Sequence, residues 1–268
     1  GNSNYHALQA SLRKQFSHGV QFDFNYTFSK SIDVTSAAAR VGFNVVGYQN
    51  IGLVGSRLAN AFFPKDARAV SDFDLTQQMN VNWIADLPFG KGRAFAHSAS
   101  GVREAIIGGW QVSGMARWTS GFPVSIDVGA NWPTDWFLTG LAQMTAKPQT
   151  GVFKDPVTGV VSLFANPAAA QADFTQPYPG GSGSRNVLRG DGFASLDMSL
   201  TKRWHLPREG HSLQFRWEVF NVPNLTRFNA QGVGSLVPSI AQSRSGFGAY
   251  SSLLTQPRVM QFALRYEF

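Results

Sequence analysis

Few residues in this chain have the types and spacings that catalytic chemistry requires. The five histidines do not show the His-Glu-x-x-His spacing of a zinc site, and no cysteine is present to supply a thiolate ligand. The glycine-rich stretch at 179–184 lacks the Gly-Lys-Ser/Thr ending of a phosphate-binding loop. Serine and histidine occur, but no Gly-x-Ser-x-Gly turn marks a nucleophile. The sequence therefore predicts a protein that is not an enzyme and uses no metal or other cofactor.

Charged and aromatic residues are better candidates for contacts with a ligand. Ten charged residues would share one face of the strands described below: Arg13, Arg117, Arg203, Arg216, Arg265, Asp23, Asp86, Asp197, Glu218 and Glu267. This balanced set predicts cross-strand ion pairs and favours neither an anionic nor a cationic solute. As ligand-binding candidates we select Arg117, Arg216 and Glu218 from it, and Trp132, Trp136 and Phe137 from a long connection. Those aromatic rings could stack on a sugar or anchor a partner, or they could fold the connection on itself.

Strands must bring these charges together, and the sequence alternates apolar and polar residues in seven segments. They cover residues 7–16, 20–29, 75–87, 110–119, 194–204, 213–219 and 258–268. Period-two alternation places successive side chains on opposite faces of a strand. Four residues break the pattern: Gln77, Ile84, Met115 and Lys202. Most segments match the roughly 9 to 11 residues of a tilted strand that crosses a bilayer and exceed the roughly 5 to 6 of a soluble strand.

The connections between the segments alternate between short and long. The short ones are at 17–19, 88–108 and 205–211, and the long ones at 33–71, 129–192 and 222–257. Outer-membrane barrels have short periplasmic turns and long extracellular loops. Structureless loops of this length argue against a compact soluble domain. We therefore predict an all-β fold, an antiparallel transmembrane β-barrel segment of seven or eight long strands in the outer membrane of a Gram-negative bacterium.

The last strand resembles the C-terminal signal that bacterial outer-membrane proteins present to their assembly machinery. The matching residues are Gln261, Ala263, Tyr266 and Phe268, with Ala263 in place of the usual glycine. The resemblance implies the barrel-assembly machinery as a partner through this strand. A terminal strand of a soluble sandwich would alternate in the same way.

Composition is consistent with a membrane barrel. Charged residues make up 15% of the chain, against roughly 25% in soluble domains. No stretch approaches the roughly 18 consecutive apolar residues of a membrane helix, so any span must consist of strands. The net charge of +7 could indicate nucleic acid, but lysine and arginine are scattered and form no basic run. We therefore expect partners among outer-membrane lipids and lipopolysaccharide, and not nucleic acid.

The number of predicted strands allows two interpretations of how much of a barrel this chain contains. Single-chain bacterial barrels usually have an even number of strands, from eight upward. Either an eighth strand lies in a long connection, or residues 1–268 are a single barrel segment from the C-terminal part of a larger barrel. The chain opens without an initiator methionine, a basic segment or an apolar leader, so we expect a processed or truncated chain.

Eight stretches of the chain resemble one family of outer-membrane proteins. They are residues 1–9, 26–33, 71–74, 87–93, 108–114, 120–123, 185–193 and 220–224. In order and composition they are similar to the TonB-dependent receptors of the Oar-like type. The resemblance implies the C-terminal third or so of such a barrel, without the plug, the TonB-contacting segment and the N-terminal domain. It implies TonB as a partner through the upstream plug, and it does not identify the ligand.

Three functions remain open from the sequence. The first is a receptor barrel that takes up an unidentified ligand when TonB pulls its plug. The second is a structural or adhesive barrel whose loops bind surface partners without import. The third is a soluble carbohydrate-binding sandwich, which would stay in solution without detergent.

Overall fold

One antiparallel sheet dominates the computed structural model of this protein, and we call it the wall. The structure describes residues 2–34, 36, 63–131, 139–178, 181–207, 209–230, 233 and 246–268. Seven long strands are neighbours in chain order: β1 Ser3–Ser17, β2 Val20–Asp33, β3 Gln77–Asp86, β4 Trp110–Thr119, β5 Phe193–His205, β6 Ser212–Phe220 and β7 Val259–Glu267. Each predicted segment is a strand, so the predicted antiparallel all-β architecture is confirmed.

The two faces of the wall differ in polarity because side chains alternate along every strand. Large exposed residues on the apolar face include Leu8, Leu12 and Phe262. On the same face Gly114 lies opposite Trp83, and a Cβ atom at Gly114 would lie 2.2 Å from that indole, so glycine fits where larger residues do not. An exposed apolar surface of this extent fits contact with hydrocarbon better than contact with water.

Short and long connections alternate along the wall, as predicted. At one end, the turn end, lie the His18–Gly19 turn and residues 87–109 and 206–211. At the other, the loop end, lie the described residues of the connections between β2 and β3, between β4 and β5 and between β6 and β7. His18 and Gly19 have φ angles of 53° and 77°, the left-handed pair that suits a two-residue hairpin turn.

The strands are staggered as they are in a tilted barrel wall. Register partners can be followed from strand to strand, starting at Ser17, the last residue of β1 at the turn end. This row arrives on β7 at Phe262, although β7 itself continues towards the turn end as far as Glu267. The full row is Ser17, Val20, Ala85, Val112, Leu200, Trp217 and Phe262. Strands in a closed barrel tilt against the axis, and their hydrogen-bond register shifts steadily in this way.

The two outer strands show why seven strands cannot close as an antiparallel barrel. Within the described residues β1 pairs with β2 and β7 pairs with β6, and each has one free edge. Both outer strands run from the loop end to the turn end, so a direct pairing between them would be parallel. Antiparallel closure therefore requires an odd number of further strands.

The described parts of the long connections are folded, which corrects the prediction that these connections are structureless. Short strands pair within them: Asp127–Asn131 with Thr139–Leu141, Gln143–Met144 with Phe174–Thr175, Thr150–Lys154 with Val161–Phe164, Pro123–Val124 with Leu188–Arg189, and Phe228–Asn229 with Ser252–Leu253. The strand Ala69–Val70 pairs with the end of β2, after a 3-10 helix at Pro64–Ala67. We call the described parts of 120–192 and 221–258 the cap.

Apolar residues of the cap form the buried core that the sequence pattern did not reveal. Ile126, Leu163, Phe164, Leu188 and Val233 are almost fully buried there. The rings of Phe164 and Phe247 stack at 5.0 Å. Burial of such side chains contributes about 1.5 to 3 kcal/mol each, which offsets the entropy of ordering long connections.

Two short α-helices complete the described structure. Helix α1 covers Gly101–Ile107, between β3 and β4, and helix α2 covers Pro167–Ala172 in the cap. Asn166 caps α2, because its side chain accepts a hydrogen bond from Ala169 N at 3.1 Å. In the part of the chain that the structure describes, no helix has the length and apolarity to span a membrane.

Candidate functional site: the polar face and the cap

Ion pairs join neighbouring strands on the polar face of the wall. Arg13 on β1 and Asp23 on β2 are register partners, and Arg13 Nε donates to Asp23 Oδ2 at 2.8 Å. Asp86 accepts hydrogen bonds from Arg93 and Gln111, each at 3.0 Å. The alternation of β1 to β4 places these groups on one face, so the predicted cross-strand pairing is present for Arg13 and Asp23.

Strands β5, β6 and β7 carry three further ion pairs. Arg203 is 3.3 Å from Glu267, and Arg265 is 3.3 Å from the other oxygen of the same carboxylate. On β6, Arg216 is 3.5 Å from Glu218, which also accepts a hydrogen bond from Gln261. Arg203 and Arg216 are about half exposed and Arg265 is 70% exposed, so each pair contributes no more than about 1 kcal/mol. Their main effect is to neutralise most of the charge on this face.

Arg117 differs from the other arginines of the polar face. It is exposed on β4 between its register partners Asn80 and Ser195. Among the described residues no carboxylate lies within salt-bridge distance of it. Asp197, two residues beyond Ser195, accepts instead from Ser195 Oγ at 3.1 Å and from Asn221 N at 2.8 Å. The Arg117 guanidinium is therefore available to a ligand, whereas Arg216 and Glu218 are engaged with each other.

A depression of about 350 Å³ lies on the polar face near the middle of the wall. Three carboxylates border it, those of Asp23, Asp197 and Glu218. The predicted candidate Glu218 lines this depression, while Arg117 and Arg216 lie outside its lining. Within the described ranges no group of three or more His, Asp or Glu residues has the geometry of a metal site.

Two residues that break the sequence alternation meet in this depression. Ile84 and Met115 lie on the polar face, and both line the cavity. Ile84 is the register partner of Ser113, and Met115 is the partner of Asn82 and Asp197. The depression therefore combines an apolar patch with carboxylates, as a binding pocket for a small molecule commonly does. The broken alternation was the sequence signal for it, and sequence reasoning did not use that signal.

An arginine fork ties the cap to the end of β2. Arg185 donates through Nη1 to Asp33 Oδ1 at 2.8 Å and through Nη2 to Asp72 Oδ1 at 3.0 Å. It also donates to Ser36 Oγ at 2.7 Å and to the carbonyl of Ala67 at 3.2 Å. The side chain of Arg185 is only 10% exposed, and that of Asp33 only 7%. Charge-assisted bonds in such a dry site are stronger than those at the surface.

Residues that follow Arg185 extend the same attachment. Asn186 donates to the carbonyl of Val70 at 2.7 Å. Arg189 forms an ion pair with the buried carboxylate of Asp74 and donates to the carbonyl of Gly121 at 3.0 Å. The stretches 71–74 and 185–193, which carried part of the family resemblance, are thus partners in one network. Sequence reasoning identified both stretches but not their contact.

Asp191 and Tyr250 join the two parts of the cap, the described residues of 120–192 and those of 221–258. Arg227 is 3.3 Å from Asp191, whose carboxylate also accepts from Phe228 N at 3.0 Å. The Tyr250 hydroxyl donates to the carbonyl of Gly151 at 2.9 Å. Burial, and after it the negative charge of Asp191, raise the pKa of Tyr250 above its ordinary value. Tyr250 therefore remains a protonated donor above the pH at which an ordinary tyrosine loses its proton.

The aromatic candidates Trp132, Trp136 and Phe137 lie outside the described residues, and their role in binding stays a prediction. The four residues of the C-terminal signal lie on β7 and just after it. Gln261 and Ala263 are on the polar face, and Tyr266 and Phe268 are on the side of the apolar face. Tyr266 is hydrogen-bonded to His211, whereas Phe268 is 91% exposed at the turn end. Recognition of these residues by assembly machinery also stays a prediction.

One family model matches nearly the whole chain. It is described as an outer membrane beta barrel domain, and the match covers residues 1–261. No curated protein and no solved structure gives a significant match. The match agrees with the apolar and polar faces of the wall and with its alternating short and long connections.

Proposed function

The chain belongs to the outer membrane β-barrel domain family, and from this premise we propose that it is part of the wall of a TonB-dependent receptor that takes up a ligand. Its location is the outer membrane of a Gram-negative bacterium. The apolar face then contacts lipid and the polar face lines the lumen. The turn end lies at the periplasm, and the cap lies at the cell surface.

The observation that carries the proposal is the polar lumen wall beneath a folded cap. Its charges are largely paired, as in Arg13–Asp23 and Arg203–Glu267, so a polar protein domain or a hydrated solute can lie against it. The cap is held by ion pairs of Arg185 and Arg189 with the buried carboxylates of Asp33 and Asp74, which gives the surface side a defined shape. Both features suit a receptor that binds a ligand outside and passes it inward.

The sequence resemblance to the Oar-like receptors supports the TonB-dependent part of the proposal. Two of its stretches, 71–74 and 185–193, meet in the network that attaches the cap. Further proposed partners are outer-membrane phospholipid and lipopolysaccharide at the apolar face and the barrel-assembly machinery at β7. The proposal includes no catalytic step, no cofactor and no nucleic-acid partner.

Binding to TonB tests this function directly. The intact protein in detergent micelles is titrated with the purified periplasmic domain of TonB, and an unrelated outer-membrane barrel is titrated in parallel. We expect saturable binding to the intact protein and none to the unrelated barrel. Failure to bind would contradict the proposal of a TonB-dependent receptor and would favour the structural or adhesive barrel.

A further inference from the structure

Helix α1 rests on the lipid-facing side of the wall, at its periplasmic end. Trp204 Nε1 donates to the carbonyl of Ala105 at 2.7 Å, and Trp110 Nε1 donates to that of Ile106 at 2.8 Å. Lys202 Nζ donates to the carbonyls of Ile106 and Gly108. Trp110, Lys202 and Trp204 all lie on the apolar face of β4 and β5, so the C-terminal turn of α1 lies outside the barrel wall.

These contacts explain why Lys202 breaks the apolar alternation of β5. The last carbonyls of a helix have no partner within the helix, and they attract a cation. Lys202 is buried beneath them, and its ammonium lies 5.2 Å from the ring of Trp110 and 5.4 Å from that of Trp204. A helix of seven residues is too short to be stable alone, so the wall supplies its stability.

A contact of Glu104 fixes the rotation of α1 about its own axis. Glu104 accepts a hydrogen bond from Lys91 N at 2.7 Å, and its carboxylate covers Gly108, where a Cβ atom would lie 2.0 Å from Glu104 Oε1. Glu104 thus points towards the connection that follows β3. Val102 and Ile106, which are four residues apart, share a different side of the helix. They are 76% and 63% exposed.

A second lysine, Lys14 on β1, lies at the same distance from the turn end of its strand as Lys202 does on β5. Lys14 is three residues before the end of β1 at Ser17, just as Lys202 is three residues before the end of β5 at His205. Lys14 is also on the apolar face, and it donates to the carbonyls of Ser17 and Val20 at 2.7 and 2.9 Å. Long cationic side chains at the rim of an apolar surface lie at the headgroup level of a membrane.

We propose that α1 lies in the headgroup region of the periplasmic leaflet, with Val102 and Ile106 inserted at the boundary of the acyl chains. The exposed pair continues the apolar face of the wall, which already contacts lipid, and phospholipid is therefore its partner. Tryptophan belts are expected at this depth, and the two indoles that hold α1 are of that kind. Helix α1 would thereby anchor the connection between β3 and β4 to the membrane surface.

Depth-dependent fluorescence quenching tests this placement. Residues 1–268 contain no cysteine, so Val102→Cys and Ile106→Cys each add a single thiol for a bimane probe to this part of the intact protein, and any cysteine elsewhere in it is first replaced by serine. The proteins are reconstituted into phosphatidylethanolamine and phosphatidylglycerol vesicles that contain a nitroxide lipid. In one series the nitroxide is near the headgroup, and in the other it is near the end of the acyl chain. We expect a large loss of fluorescence with the shallow nitroxide and a smaller loss with the deep one.

Two control positions define the limits of the measurement. Val157 is an equally apolar residue that is 91% exposed in the cap, and a probe at Val157→Cys should be quenched by neither lipid. Val81 is near the middle of β3 on the apolar face, and a probe there should be quenched more by the deep nitroxide. If the probes at 102 and 106 behave like either control, the proposal is overturned. Both positions are exposed, so either variant alone can carry the test.

Discussion

Arg185 and Asp33 are 152 positions apart in the chain, yet the guanidinium donates to the carboxylate at 2.8 Å in a nearly buried site. The pair joins the cap to the last residue of β2. Breaking a buried pair leaves a carboxylate without compensation. The stability of the cap should therefore depend on this one arginine.

Replacement of Arg185 tests that dependence. We expect Arg185→Ala to destabilise the cap by about 3 to 5 kcal/mol, because the charges of Asp33 and Asp72 are left unpaired. The matched control is Arg13→Ala, which removes an exposed pair and should cost no more than about 1 kcal/mol. Protease susceptibility of the cap, followed against urea concentration, measures the loss at Arg185, and unfolding of the wall in urea, followed by tryptophan fluorescence, measures the loss at Arg13. Equal losses of stability would show that the buried pair of Arg185 contributes no more than an exposed pair.

Charge on the lipid face should be costly and charge on the lumen face should not. Phe24 and Asn25 are neighbours on β2 with opposite orientations. We expect Phe24→Arg to cost about 2 to 4 kcal/mol near the middle of the membrane, and Asn25→Arg to cost much less. Reversible unfolding in phospholipid vesicles compares them. A larger cost at Asn25 would mean that the two faces are assigned the wrong way round.

A receptor of the proposed type should hold polypeptide against its lumen wall. Ser113 lines the lumen depression, and its neighbour Val112 faces lipid. With p-benzoylphenylalanine at Ser113 in the intact protein, we expect photo-crosslinks to a protein segment outside the wall. The same group at Val112 should give crosslinks to lipid. Mass spectrometry identifies the products, and an absence of peptide products from Ser113 would contradict a plugged receptor.

Tyr250 should make the cap sensitive to alkaline pH. Its pKa is raised in the folded protein, so its contribution to stability is complete below the ordinary value of 10.0 and is lost as the pH rises through the folded value. Tyr250→Phe should reduce stability at neutral pH by about 0.5 to 1.5 kcal/mol, the value of one hydrogen bond, and should remove this part of the pH dependence. Protease susceptibility of the cap between neutral and strongly alkaline pH compares the two proteins. A parallel pH profile for both would disprove the assignment.

The C-terminal aromatic should matter for assembly more than for stability. Phe268 is 91% exposed, so Phe268→Ala removes little packing from the folded wall. We expect a several-fold lower amount in the outer-membrane fraction, because the assembly machinery would bind the signal less well. Val157→Ala, at a residue that is also 91% exposed, is the control and should leave that amount unchanged. Quantitative immunoblots of the fraction decide between recognition and an inert terminus.

The attachment of the cap was beyond sequence reasoning. The stretches 71–74 and 185–193 were visible in the sequence, but their contact depends on how the chain returns to the end of β2 after 152 residues. The core around Phe164 likewise forms between residues without regular spacing, so no period could indicate it. Ile84, Met115 and Lys202 appeared as exceptions to a pattern. Only their neighbours in space show that two of them line a depression and that the third binds the end of α1.

The sequence by itself determined the wall. Alternation with a period of two is a local property, and it placed all seven strands, their two faces and the alternation of short and long connections before any contact was known. The tertiary structure decided which charges pair, where the cap is fastened and on which side of the wall α1 lies. These features depend on contacts between residues far apart in the chain, which a repeating local pattern does not specify.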